Sequence, residues 1–237
     1  TMQLFYAPDI VLPHYTLSEE ESKHCVRVLR LASGDELHLT DGRGNLYRCR
    51  VTDPNPKHCT VEAVETIAEY GKMPYGITLA VAPTKNIERF EWFLEKATEV
   101  GVTRIVPVEC DRSERRVIKY DRELRVITSA VKQSLKAYHP ALDDMTPLRR
   151  LIAAPFEGSK FIAHCEENAS ERLYLASEIR KSENILILIG PEGDFSPEEI
   201  NFALENGFRP VTLGTQRLRT ETAAVAAAVM AAVVNGL

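Results

Sequence analysis

The sequence predicts an α/β protein in two parts, a small β-rich domain followed by a larger domain built on a parallel sheet. Three observations predict it. From Tyr75 onward, strand-like apolar runs alternate with helix-like stretches, the rhythm of βαβ units. Before that point, short segments of alternating polarity are joined by turn residues, Asp41-Gly42 above all. Between the two lies Glu69-Tyr70-Gly71-Lys72-Met73-Pro74, whose Gly, Pro and charge mark a linker, which sets the domains at residues 1–72 and 73–237.

In the first domain, Asp41-Gly42 joins Leu37-His38-Leu39 to the alternating segment Tyr47 to Val51. Tyr47, Cys49 and Val51 then share one face and Arg48 and Arg50 the other; with Arg43 in the turn, that polar face is expected to be basic. Thr60-Val61, Val64 and Ile67 supply a later strand. One helix interrupts the strands, capped by Ser18 with Glu21 as capping-box partner and ended near Ala32-Ser33-Gly34. Lys23, Arg27 and Arg30 fall on one stripe of it, while Cys25, Val28 and Leu29 turn inward. Either basic face alone reads first as a solvated surface; together they point to RNA phosphates.

In the second domain, Tyr75 to Ala82 reads as a strand and Asn86 to Val100 as a helix whose Ile87, Phe90, Leu94 and Ala97 form an apolar stripe closed by Gly101. Arg104 to Val108 is the next strand. The loop after it carries Arg112, Arg115, Arg116 and Lys119, a second candidate RNA contact or equally a solvated loop. A helix is expected from Asp121 to Ala137, a strand over Ser159 to Ala163 and a helix near Glu171 to Lys181. Ile185 to Ile189 is a continuous aliphatic run, the pattern of a strand covered on both faces. Gly190-Pro191 stops it, and Ser196-Pro197-Glu198-Glu199 starts a helix with an N-cap, a proline in the first turn and a capping box. A second strand-to-helix loop, Leu213 to Thr222, ends on an Ala-rich helix from Ala223 to Val234 that is too short to cross a bilayer, which takes about 20 residues. Both loops lie where open α/β sheets hold their ligands, and their glycines let a ligand approach the backbone.

A net charge of −5 over 237 residues argues against wholesale polyelectrolyte binding of nucleic acid and leaves room for a local basic patch. No stretch reads as a signal peptide or membrane span, so no membrane partner is expected, and the cysteine usage fits a reducing, cytoplasmic setting best. Five cysteines without a C-x-x-C spacing give neither a disulfide framework nor a zinc ribbon. The dipeptides His24-Cys25, His58-Cys59 and His164-Cys165 place neighbouring side chains on opposite faces of a strand, so no metal is expected. No G-x-G-x-x-G follows the first strand, which disfavours a Rossmann dehydrogenase.

Ile189-Gly190-Pro191-Glu192-Gly193 and Leu213-Gly214 through Leu218-Arg219-Thr220-Glu221-Thr222-Ala223 resemble the paired motifs of the SPOUT-class bacterial methyltransferases that modify N3 of a uridine in small-subunit (16S) ribosomal RNA. The resemblance extends to Lys23-His24-Cys25-Val26-Arg27-Val28-Leu29-Arg30-Leu31, which looks like that family's RNA-binding domain, and to Lys85, Glu88-Arg89, Glu95 to Val102 and Gln133-Ser134. It implies an N-terminal PUA-like β-barrel domain followed by an α/β SPOUT methyltransferase domain with a C-terminal trefoil knot. It also implies S-adenosyl-L-methionine as cofactor, a homodimer, and 16S ribosomal RNA or the small ribosomal subunit as partner. The chain departs from the family at Asp194, where a glycine is usual, at Lys132, where an acid is common, and at Gln3-Leu4, where an Arg often precedes the first Phe.

Resemblance and geometry jointly assign backbone near Gly190, Gly193, Leu213 and Gly214 to the adenine edge, Leu218 to its ring, and Glu192 to ribose hydroxyls or to the loop itself. Ala163, His164, Leu188 and Thr222 complete the implied cofactor set. Methyl transfer is an in-line displacement that needs positioning and some means of favouring loss of the uracil N3 proton. Arg219 is the candidate that stabilises the developing anion, with Glu221 holding it through a charge-assisted pair. The loops alone do not fix the target atom: a ribose 2′-oxygen, a transfer RNA or a non-catalytic RNA-binding assembly role fits the same frame.

Overall fold

A computed structural model of the chain describes residues 2–166 and 171–237. They form two compact units, one running to Lys72 and taking in Val131–His139, the other made of Met73–Ala130 and Pro140–Leu237.

The first unit is a five-stranded sheet of β1 (Leu4–Tyr6), β2 (His14–Thr16), β3 (Glu36–Thr40), β4 (Leu46–Asp53) and β5 (Thr60–Ile67), in the order β1-β3-β4-β5-β2. Only β1 and β3 run parallel. Phe5, Leu37, Leu39, Cys49, Val51 and Val61 fill its core. The turn after β3 is a five-residue loop organised by the buried Asp41, whose carboxylate accepts from Arg43 N (2.8 Å) and from Asn45 Nδ2 (2.7 Å). Gly44 is obligatory in it: its φ is +99°, and a Cβ would come within 2.4 Å of the Tyr138 ring.

The helix of this unit differs from expectation. Ser18 caps α1 (Glu19–Lys23) by accepting from Glu21 N at 3.2 Å, but the Glu21 carboxylate pairs with Lys132 rather than closing a capping box. At His24 the backbone widens into a π-turn that ends at Val28, and Arg30 is left-handed (φ 58°). A π-turn takes in an extra residue and rotates the side chains beyond it. Val26 therefore packs against the core while Val28, expected inside, is 65% exposed, and Arg30 lies beyond the helix, off the stripe of Lys23 and Arg27.

The second unit carries a parallel sheet in the order β11-β13-β10-β12-β6-β7-β8, with β9 pairing on β7. Its strands are β6 (Ile77–Val81), β7 (Arg104–Glu109), β8 (Ala141–Leu142), β9 (Thr146–Pro147), β10 (Ser159–Ala163), β11 (Leu173–Tyr174), β12 (Ile185–Ile189) and β13 (Arg209–Thr212). The aliphatic run of β12 is buried at all five positions between β10 and β6. Around the sheet lie α2 (Ile87–Val100), α3 (Tyr120–Gln133), α4 (Leu148–Ala153), α5 (Leu175–Glu178), α6 (Pro197–Glu205) and α7 (Thr220–Val234). Asn86 caps α2 through Glu88 N (3.0 Å), and Gly101 ends it in the left-handed region (φ 107°).

Three further expectations are corrected. The helix foreseen near Glu171 to Lys181 is the two-residue β11 and the single turn α5, because Leu173 and Tyr174 are taken up as an edge strand beside Val211 and Thr212. The Ala-rich helix begins at Thr220, three residues early, and buries Ala224, Ala227, Ala228, Ala231 and Ala232 against α2 and β6, where small side chains permit close approach. Finally, α3 stops at Gln133 and Leu135 is left-handed (φ 56°), so that the segment ending at His139 belongs to the first unit. There the Ala137 carbonyl accepts from Thr40 Oγ1 (3.0 Å) and Gly44 N (2.9 Å), and Ala137 packs with Leu4 and Leu46.

Glu123 on α3 is buried, and neither carboxylate oxygen has a hydrogen-bond partner among the described residues. Burial, and then the neighbouring Glu91, raise its pKa to about 7 against the opposing pull of Arg122 and Arg115. A carboxyl whose folded pKa is raised stabilises the fold fully below its unfolded value and loses that contribution as pH rises through about 7. Glu123→Gln is therefore expected to leave stability unchanged near pH 4 and to raise it by about 1 kcal/mol at pH 8, as read from urea denaturation at the two pH values.

Candidate active site

All the strands of the second unit point the same way, and their register aligns Val81, Ala163 and Ile189 across neighbouring strands. The loops after β6, β7, β10, β12 and β13 therefore open at one edge of the sheet, the ligand edge of an α/β fold. The loop after β12, Gly190 to Ser196, is bonded to the loops after β6, β7 and β10 and to the first residue of α7.

From the β6 loop, Lys85 N donates to Glu192 Oε1 at 2.9 Å. From the β7 loop, Asp111 N donates to Glu199 Oε1 (2.8 Å), the Ser196 hydroxyl donates back to Asp111 Oδ2 (2.7 Å), and Arg112 Nη1 donates to the Gly193 carbonyl (3.0 Å). From the β10 loop, Cys165 N donates to Asp194 Oδ2 at 2.7 Å. From the start of α7, the Thr220 hydroxyl donates to the Gly190 carbonyl at 3.0 Å. Glu199 is buried and also accepts from Ser196 N (2.9 Å), so one carboxylate joins the capping box of α6 to the β7 loop. The glycines serve this packing rather than a ligand alone: a Cβ on Gly190 would meet the buried Phe195 ring at 3.2 Å, and one on Gly193 would meet Arg112 at 3.3 Å.

The residues singled out from sequence fall out unevenly on this frame. Gly190, Glu192, Gly193, Ala163 and His164 lie at the interlocked edge, and Glu192 is engaged with the loop through Lys85. Leu213 and Gly214 form a turn in which the Thr212 hydroxyl bonds Gly214 N (3.2 Å) and the Gly214 carbonyl (2.9 Å); Gly214 has φ 138° with open space around it. Leu218 is 38% exposed beside it, and Thr222 is exposed. Leu188 has its side chain fully buried in the core and its backbone within a strand paired on both sides, one residue before the loop begins. The pairing of Glu221 with Arg219 is corrected. Glu221, 11% exposed, lies 3.8 Å from Arg89 of α2, while Arg219 is exposed at the cap position of α7 with no ion pair among the described residues. Burial, and then the Arg172 guanidinium, push the His164 pKa down, which keeps the imidazole neutral.

The expected RNA contacts change most. Arg48 pairs with Glu65 and Glu36 at 2.9 Å each, and Arg50 lies 3.8 Å from Glu36, so the arginine face of β4 is largely neutralised by acids on the adjacent strands. Lys23 pairs with Glu19 (2.7 Å), and Arg43 donates to the Pro8 carbonyl (3.1 Å). Arg27 and Arg30 are exposed without an ion pair among the described residues. In the second unit, Arg115 donates to the Thr84 (2.9 Å) and Lys85 (2.6 Å) carbonyls, Arg116 pairs with Glu109, and Arg112 holds Gly193. Arg112 and Arg115 bind loops to one another, and Arg116 ties its own loop back to the end of β7. Arg89, Thr220, Asp111 and Asp194 were not among the site residues read from sequence, because their partners lie 29 or more residues away along the chain.

Residues 71–232 match the RNA methyltransferase domain family and residues 17–64 the RNA methyltransferase PUA domain, so the fold and the interlocked site are those of a two-domain RNA methyltransferase. The chain belongs to the family of ribosomal RNA small subunit methyltransferase E. It is 30% identical to the protein of that name from Synechocystis sp., over 93% of this chain and 74% of that one. Among solved structures it is similar to a probable rRNA-methyltransferase from Porphyromonas gingivalis, with 43% identity, a TM-score of 0.90 and coverage of 96% and 95% of the two chains. It is also similar to a ribosomal RNA small subunit methyltransferase E from Neisseria gonorrhoeae bound to S-adenosyl methionine, with 30% identity, a TM-score of 0.84 and the same coverage.

Replacing Thr220 by Val keeps the volume and leaves the Gly190 carbonyl without its buried donor. The expected loss is about 1 kcal/mol of unfolding free energy, measured by urea titration. An unchanged denaturation midpoint would show that this bond does not fasten the loop.

Proposed function

We propose that the chain transfers the methyl group of S-adenosyl-L-methionine to N3 of a uridine in 16S ribosomal RNA, as a homodimer acting in the cytoplasm. The observation that carries this reading is the convergence of strand-end loops on Gly190 to Ser196, in a chain of a family with a relative bound to S-adenosyl methionine. The residues present fit such a donor: Leu218 and the open turn at Gly214 offer an apolar side chain and accessible backbone beside loops rich in carboxylates. When bound, the donor supplies an electrophilic methyl on a cationic sulfur.

The protein's own residues position and polarise. Gly190, Gly193, Leu213, Gly214, Ala163 and His164 present backbone at the sheet edge, and Glu192 keeps the central loop in shape through Lys85. Arg219 stands at the amino end of α7, where free backbone N–H groups also favour negative charge, and so is placed to stabilise a uracil anion as its N3 proton leaves. Glu221 acts with Arg89 to fix that helix start. N3 lies on the pairing edge of the base, so the target is unpaired or flipped out. Arg27 and Arg30 of the first unit are the foremost phosphate contacts, since Arg48 and Arg50 are engaged with acids and Arg43 lies 3.6 Å from the Asp41 carboxylate. The reading includes a trefoil knot near the C-terminus, in keeping with β10 lying between the later strands β12 and β13. It also includes a dimer, in keeping with the exposed Val229 and Val233 on α7.

Methyl transfer from labelled donor to small subunits and to free RNA, followed by nucleoside analysis, tests the whole reading; label in any nucleoside other than N3-methyluridine rejects the target atom. Arg219→Ala is expected to abolish turnover while keeping donor affinity within about tenfold, roughly 1.4 kcal/mol. For RNA affinity measured against salt, Arg27→Ala is expected to lower the slope of log K against log salt by about 1. Arg48→Ala is expected to change that slope much less.

A further inference from the structure

Resting on the methyltransferase reading, we infer that Asp194 is a positioning residue for the methyl donor, acting through the peptide unit between His164 and Cys165. Asp194 lies in the left-handed region, with φ 61°, a conformation that glycine adopts without steric cost. An aspartate held there is strained relative to glycine, so a compensating interaction is expected, and the structure contains one.

The compensating interaction is a clamp on a single peptide plane. Cys165 N donates to Asp194 Oδ2 at 2.7 Å, and the His164 carbonyl, the other end of that peptide, accepts from the Arg172 guanidinium. An anion grips the positive end of the peptide dipole and a cation its negative end, so both bonds are charge-assisted and mutually reinforcing. The other carboxylate oxygen of Asp194 accepts from its own chain neighbour Phe195 N at 2.9 Å, and Asp194 N donates to the Pro191 carbonyl at 2.9 Å, which orients the carboxylate. Phe195 is fully buried against Gly190. The β10 loop and the β12 loop are thereby joined at a point where a glycine would leave Cys165 N free. The function of the aspartate is preorganisation: the His164–Cys165 peptide is held in place before the donor arrives, so less ordering is required on binding.

Glycine and alanine replacements separate this role from plain stability. Asp194→Gly loses the clamp and relieves the left-handed strain; Asp194→Ala loses the clamp and keeps the strain; Asp194→Asn keeps one acceptor oxygen. Calorimetric titration with S-adenosyl-L-methionine is expected to show affinity falling about tenfold in both Asp194→Gly and Asp194→Ala and about threefold in Asp194→Asn. Only Asp194→Ala is expected to melt earlier. Turnover at saturating donor should stay within about twofold in all three, so that the effect appears in the KM for the donor. Amide exchange at Cys165 should accelerate in Asp194→Gly even without donor. Donor affinity that follows melting temperature across the three variants would overturn the inference, as would normal affinity and unchanged Cys165 exchange in Asp194→Gly. Failure of the native protein to bind the donor at all would instead overturn the methyltransferase reading.

Discussion

The second unit depends on the fastening of one loop, Gly190 to Ser196, to the loops after β6, β7 and β10 and to the start of α7. Sheet and helices alone would bring five strand ends to one level and leave their connections free. What fixes them is a set of bonds in which a charged group meets backbone, buried or half-buried for Glu199 with Asp111 N and Ser196 N and for Arg115 with the Thr84 carbonyl, and exposed for Glu192 with Lys85 N, Asp194 with Cys165 N and Arg115 with the Lys85 carbonyl. Charge-assisted bonds of this kind are stronger than neutral ones, and in surroundings of low polarity each supports the next. The same bonds consume polar groups that would otherwise be left bare in a closed site.

Much of the frame was legible because its signals are local. Ser196, Pro197 and Glu199 sit within four residues and specify where α6 starts; Asn86 and Gly101 bracket α2; the Ile and Leu run of β12 declares a strand with no wet face. The site was legible only in outline. Glu221 looked like a partner for Arg219 two residues away, but at a helix start neighbouring side chains diverge and the contact is with Arg89 on another helix. Leu188 borders the loop and is itself the fourth residue of the buried strand. The π-turn at His24 leaves no clear mark in composition, and a helix read at a constant 3.6-residue period puts Val28 on the wrong side.

Charge illustrates the same limit in the first unit. Arg48 and Arg50 alternate with buried residues along β4, and a single strand read alone shows a basic face. Glu36, Glu62 and Glu65 stand opposite them on β3 and β5, a register fixed by pairing across the sheet. Like-sign faces on an isolated strand become mixed faces in a sheet, which lowers the attraction for polyanions and concentrates it on the exposed arginines at and beyond the π-turn, Arg27 and Arg30.

The return of Val131–His139 to the first unit means that this module is not a continuous piece of sequence. A polypeptide cut after Lys72 would lack Ala137, leaving Leu4 and Leu46 uncovered and the Thr40 hydroxyl and Gly44 N–H without their acceptor. During synthesis the module can be completed only after the ribosome has added all of α2, β7 and α3. Its assembly is thus timed by the translation of the catalytic half, and shuffling the module between genes as one exon-like block would deliver an unfinished fold.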